Sequence, residues 1–128
     1  MRVLLDSHAF LWMAQDDDRL PAAVRDLLLD GRTRAILSVA STWELTLKVL
    51  KGSLRLPMSP ADYFEARRDA LDLDLLPVHQ RHVDALPELP AIHGDPFDRM
   101  LVAQALVEDL EIVTGDRAIT AYPVRTIW

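Results

Sequence analysis

The amino-acid sequence predicts a three-layer α/β/α sandwich built on a central parallel sheet. Three observations carry that expectation. Short apolar runs such as Val3-Leu4-Leu5 lack the strict alternation of a half-solvated strand, which marks strands buried on both faces. These runs alternate along the chain with helical patterns, the arrangement of parallel strands joined by crossover helices. No internal repeat, low-complexity tract or linker interrupts the alternation, and 128 residues suit one domain, residues 1–128, around a single core.

Taken in order, Val3-Leu4-Leu5 is a buried strand ending at Asp6, and Ser7 to Trp12 begins a helix without an intervening turn residue. Gln15 to Arg19 is a polar break. Pro21 opens a second helix with Val24, Leu27 and Leu28 on its inner face and Gly31 as its stop. Arg34 to Ser38 is the next strand. Ser41-Thr42-Trp43-Glu44 begins a helix that ends near Gly52, and Pro57 breaks the chain again. Ser59-Pro60 caps a helix running to about Leu71. Leu75 to Val78 is a strand-like run, followed by a helix from Gln80 to Leu86 and a loop from Pro87 to Gly94. A helix over 96–108 leads to the strand Glu111 to Thr114, the turn Gly115-Asp116 and a short last strand, Arg125 to Ile127.

Composition excludes several classes. Half the residues are hydrophobic and 27% are charged, which is ordinary for a compact protein and wrong for a disordered one. Without cysteine there are neither disulfides nor thiolate metal sites, which suits a reducing cytosol. A carboxylate at Asp6 comes too early for a signal peptide, and no run approaches the roughly 18 apolar residues of a membrane span. The expectation is a soluble, cytoplasmic protein with no membrane partner. Net charge is −6 and the pI is near 5.0, the opposite of a protein that grips nucleic acid by charge alone. Nucleic-acid contact would have to be local, metal-assisted or helped by a partner. Acidic excess gathered into one pocket instead suits hard divalent cations.

The most informative stretch runs from Asp95 to Ala105. Pro96 after Asp95 is a helix-start signal, and Phe97, Leu101, Val102, Ala105 and Leu106 recur as a core-facing stripe. Asp98 precedes the last four of these by helical spacings, so a carboxylate is aimed along the edge of the core. A buried lone charge wants a cation or metal beside it. Asp95 as N-cap with Asp98 one turn in is also close to a capping box.

Ligands of open parallel sheets collect at the carboxyl ends of the strands, and the other acids fall at such junctions. Asp6 ends the first strand, Glu44 lies in the first turn after the second, and Asp116 follows the last long apolar strand; Asp95 is a fifth candidate at the same rim. Each has a local explanation too: Asp6 as an N-cap, Glu44 in a capping box with Ser41, Asp116 as a turn residue beside Gly115. Jointly they are harder to dismiss, because carboxylates packed at one end of a sheet repel unless a cation compensates. Oxygen-only ligands select Mg²⁺ or Mn²⁺ over Zn²⁺, and such sites activate water for phosphodiester cleavage.

The chain resembles the PIN-domain ribonucleases of the VapC toxin type. The resemblance rests on Leu4-Leu5-Asp6-Ser7-His8-Ala9, Ser41-Thr42-Trp43-Glu44-Leu45, the run from His93 through Asp95-Pro96-Phe97-Asp98-Arg99 to Ala105, Val113-Thr114-Gly115-Asp116, and the ending Tyr122 to Trp128. It implies a parallel-sheet α/β/α fold whose acids hold one or two Mg²⁺ or Mn²⁺ ions, with Asp6, Glu44, Asp98 and Asp116 as ligands and catalytic groups. Asp95 matches an acidic position of a subgroup, as metal ligand, helix cap or both; Thr114 matches a polar position that orients a water or a carboxylate. The resemblance further implies endonucleolytic cutting of RNA and inhibition by a VapB-type antitoxin whose tail fills the acidic groove. It also implies a homodimer, and contact with operator DNA only through the antitoxin.

No histidine is needed as a base in such chemistry, so His8, His79, His82 and His93 read as structural or surface groups. Arg99 points to another helix face than Asp98, towards a phosphate or into a surface salt bridge. Lys48 is placed for a helix ion pair with Glu44. Trp12, Trp43 and Trp128 serve base stacking or, more simply, core and dimer packing. Two other functions fit the same acids: a catalytically silent groove that binds a basic peptide, and a nuclease acting on DNA.

Overall fold

The chain, described over residues 1–128 by a computed structural model, forms one five-stranded sheet with every neighbouring pair parallel. The strands are β1 (Arg2–Leu5), β2 (Arg34–Ser38), β3 (Asp74–Leu76), β4 (Glu111–Val113) and β5 (Thr126–Ile127), in the spatial order β3-β2-β1-β4-β5. Between them run α1 (Ser7–Ala14), α2 (Ala22–Leu29), α3 (Val39–Leu50), α4 (Pro60–Leu71), α5 (Gln80–Ala85), α6 (Pro96–Glu108) and the single turn α7 (Arg117–Thr120).

The pleat sorts each apolar strand between two cores, because successive side chains point to opposite faces. Val3, Leu5, Ala35, Leu37 and Val113 face one way, where Phe10, Val24, Leu45 and Phe64 of α1 to α4 cover them. Leu4, Ile36 and Ile112 face the other way, against Leu101, Val102 and Ala105 of α6 and Ile119 of α7. Helices on both faces make the three layers. Each fully buried Leu or Ile in these strands stabilises the fold by roughly 1.5–3 kcal/mol.

The elements differ from the sequence reading at several points. Helix α3 starts two residues before Ser41, because the Ser38 hydroxyl, at the end of β2, accepts from the Ala40 amide and caps it. Ser41 is then inside the helix and buried, so the capping box with Glu44 does not form, and Glu44 belongs to the second turn. Strand β3 stops at Leu76, since Pro77 has no amide to continue the ladder. The turn α7 was not anticipated at all.

One polar network crosses the second core. Ser38 donates to Gln104 Oε1, and Gln104 Nε2 donates to the Pro77 carbonyl at 3.2 Å. Next to it, His82 Nδ1 accepts from the His79 amide at 3.0 Å, leaving Nε2 to face Glu108 at 3.3 Å. His82 and Gln104 are wholly buried, and their hydrogen bonds remove the cost of burying polar atoms there.

Candidate active site

The strand order reverses at β1. From β1 the chain passes to β2 over one face and, after β3, returns to β4 over the other. Such a reversal opens a crevice at the carboxyl ends of the two central strands. Asp6 directly follows β1, and Thr114-Gly115-Asp116 directly follows β4. A cleft of about 200 Å³ lies there, lined by Asp6, Glu44, Asp95, Asp98 and Asp116 together with Lys48. Five carboxylates from four separate stretches of sequence thus face one lysine.

Each acid is held by its own local chemistry. Asp6 caps α1, with Oδ1 accepting from the Ala9 amide at 2.7 Å. Burial pushes its pKa up, against the opposing pull of the Thr114 hydroxyl and the Ala9 amide. Asp116 caps α7 through a 2.9 Å bond from the Ala118 amide, and its own amide donates to Thr114 Oγ1 at 3.0 Å. Asp95 caps α6, its Oδ1 receiving the amides of Phe97 and Asp98 at 2.9 and 3.0 Å. Capping therefore engages one oxygen of each of these three, and Asp6 is held by the Thr114 hydroxyl as well.

Glu44 is held differently. Ser7 Oγ donates to its Oε1 at 2.5 Å, and Lys48 Nζ stands 3.9 Å from Oε2. Asp98 has the least support. Its pKa is pushed up to about 6, first by burial and then by the charges of Asp95, Asp116 and Glu44, with only His93 opposing. Burial and the like charges around it both disfavour the ionised form of this carboxyl.

The acids share a cleft without being drawn into a tight shell: no three His, Asp or Glu side chains stand close enough to enclose an ion. An all-oxygen donor set rimmed by one lysine fits a hard divalent cation such as Mg²⁺ or Mn²⁺, and the absence of Cys argues against a thiolate-bound metal.

The remaining candidates divide. Thr114 is buried beneath the acids, between Asp6 and Asp116. Arg99 is turned away from the cleft: its guanidinium donates to the carbonyls of Pro90 and Leu86 at 2.8 and 3.2 Å and to Tyr122 Oη at 3.1 Å. His93 bridges the loop before α6 to α7, with Nε2 3.0 Å from the Ala118 carbonyl oxygen. His8 lines the cleft and stacks on Trp12. Trp43 and Trp128 are largely exposed rather than core residues. Sequence reasoning missed Ser7 and Ser41 as lining residues; adjacency to Asp6 and to Glu44 was the available signal.

Residues 3–124 match the PIN domain family. The chain belongs to that family. This PIN domain is 27% identical over 138 aligned positions to the ribonuclease VapC22 of Mycobacterium tuberculosis, an alignment that covers 98% of each chain. Its fold is shared with solved structures of low sequence identity. The structure of VapBC2 from Rickettsia felis, bound to a DNA fragment from its promoter, superposes with a TM-score of 0.75 at 14% identity, over 100% of this PIN domain and 99% of the matched chain. FitAcB from Neisseria gonorrhoeae gives 0.67 at 20% identity, covering 100% and 97%. DNA-bound VapBC from Salmonella typhimurium gives 0.69 at 16%, covering 99% and 97%.

Proposed function

We propose that this PIN domain is the endoribonuclease toxin of a toxin–antitoxin pair, acting in the cytoplasm and hydrolysing RNA phosphodiesters with Mg²⁺ or Mn²⁺ held by Asp6, Glu44, Asp98 and Asp116. The observation that carries the reading is the convergence of those acids on one cleft at the reversal point of the sheet. When bound, the ion lowers the pKa of a water and neutralises charge on the leaving oxygen.

The chain's own residues supply the positioning. The helix caps made by Asp6 and Asp116 fix one oxygen of each carboxylate at the cleft wall. Ser7 fixes Glu44 from the facing helix. Thr114 orders the turn that carries Asp116 by accepting its amide. Asp98 provides a carboxylate opposed only by His93, and Asp95 adds a further carboxylate at the rim.

RNA rather than DNA is supported by the likeness to a protein named a ribonuclease. The likeness to VapBC assemblies supports a VapB-type antitoxin, with a basic side chain entering the acidic cleft, as the partner. Net charge −6 is unfavourable for direct binding of operator DNA by this chain, consistent with contact through the antitoxin, and the reading includes a homodimer as the family resemblance implies.

The test is digestion of total RNA, and of DNA of matched sequence, by purified protein freed of antitoxin, with Mn²⁺ and with chelator. The reading expects RNA fragments that disappear with chelator and with Asp98→Asn. Cutting of DNA alone would reassign the substrate. Absence of any cutting, together with tight binding of a basic peptide, would make the cleft a docking module.

A further inference from the structure

A second, wider cavity of about 550 Å³ adjoins the acidic cleft and shares Asp6, His8 and Asp116 with it. Trp12, Trp128, Arg19 and Gly115 form its other walls. The two indoles lie 5.8 Å apart at 51°. Trp12 is already engaged: His8 stacks on it at 5.4 Å, and the Arg19 guanidinium carbon sits 4.9 Å from its ring centre. The indole with free area is Trp128, 46% exposed.

Gly115 lets Trp128 lie close beside the acids: a Cβ there would run into the indole ring, so any other residue would displace the ring from the turn that carries Asp116. Arg19 is oriented as well. Asp17 holds its Nε at 3.1 Å and its Nη2 at 2.8 Å, yet the side chain stays 66% exposed. It is the single cation lining this cavity.

Exposed aromatic faces stack on unpaired bases whatever their identity, and a neighbouring guanidinium suits the phosphate between them. Asp6 and Asp116 also line the cavity, and Asp17 already pairs the charge of Arg19, so charge alone does not choose the occupant; the exposed indole face beside the acids is the feature that favours a base. Resting on the ribonuclease reading above, we infer that Trp128 is the stacking platform for an unpaired nucleobase next to the scissile phosphate, with Arg19 beside the adjoining phosphate. The subsite is sequence-tolerant and requires single-stranded RNA at that position.

The experiment first maps a cut site in RNA, then uses a short single-stranded oligoribonucleotide spanning it, with each base in turn replaced by an abasic residue. In the unaltered protein, one abasic position beside the cut lowers kcat/KM by roughly tenfold or more. Trp128→Phe keeps that sensitivity. Trp128→Ala cuts the intact oligonucleotide more slowly by a similar factor and shows no further loss at that one position, while Mn²⁺ binding is retained. A general loss of stability would not cancel the effect of a single base. The inference is overturned if Trp128→Ala and the unaltered protein share one abasic profile. It is also overturned if Trp128→Ala weakens only inhibition by a basic peptide, which would assign the ring to a protein partner. If the unaltered protein cuts no RNA, the ribonuclease reading fails first and this inference with it; an active protein with an indifferent Trp128→Ala sinks the subsite alone.

Discussion

Ser7 Oγ donates a 2.5 Å hydrogen bond to Glu44 Oε1, so the first helix of the chain grips the third across the acidic cleft. Ser7 is buried, and it follows Asp6 directly, so one strand end supplies both a carboxylate and the group that orients another. Ser7→Ala removes a charge-assisted bond and leaves Glu44 to rotate towards Lys48. The expected result is a loss of about 1–2 kcal/mol in urea denaturation, with Mn²⁺ affinity reduced several-fold in calorimetry.

The pH dependence of the metal-free protein follows from Asp98. Its carboxyl titrates at about 6 in the fold against 3.8 ordinarily, so the folded state binds the proton more tightly than the unfolded one. A raised carboxyl pKa gives stability that is fully present below the ordinary value and is lost as pH rises through the folded one. Asp6, also raised, has the same sign. Between about pH 4 and pH 7 the denaturation midpoint should therefore lose stability on the order of 1–2 kcal/mol, after allowance for solvent screening of a half-buried group. Asp98→Asn should flatten that slope, and Mn²⁺ should restore stability above pH 6 more than at pH 5.

Arg99 predicts a loss of a different kind. Its guanidinium links the loop at Leu86 and Pro90 to Tyr122, away from the acids. Arg99→Ala should lower stability by about 2 kcal/mol while leaving Mn²⁺ affinity unchanged. Arg99→Lys should recover little of it, because an ammonium does not reach three spread acceptors with the planar fork of a guanidinium.

Gln104→Leu tests the buried network in the second core. It removes the partner of the Ser38 hydroxyl and of the Pro77 carbonyl while keeping the volume apolar. Orphaned buried polar groups should cost about 2–3 kcal/mol in thermal or urea unfolding, and the cleft acids should keep their metal.

Much of this was legible in the chain because it is local chemistry. The apolar run ending at Asp6, the Ser59-Pro60 start of α4 and the Asp95-Pro96 start of α6 all lie where the residues place them. The start of α3 was less so, because Ser38 and Ser41 both offer a cap three residues apart, and the structure uses Ser38, whose hydroxyl also reaches Gln104, 66 residues away. The four-residue α7 falls below any helical periodicity; it exists because Asp116 caps it and Ile119 is anchored in the core. Of the readings for Trp43, core packing is set aside, since the ring packs edge-on against Phe97 at 5.0 Å and stays exposed. Spacing placed the acids at strand ends, but bringing four stretches to one cleft required the strand order, which pairs β1 with β4 across more than a hundred residues of sequence.

Calorimetric titration of Mn²⁺ into the purified protein, paired with melting of the metal-free form, tests the shared carboxylate site most directly. Saturable binding at about millimolar or tighter is predicted for the unaltered protein. Asp98→Asn should abolish that binding and yet raise the melting temperature without metal, because it relieves the repulsion from Asp95, Asp116 and Glu44. No heat of binding in the unaltered protein at millimolar Mn²⁺, or equal binding by Asp98→Asn, would contradict the account.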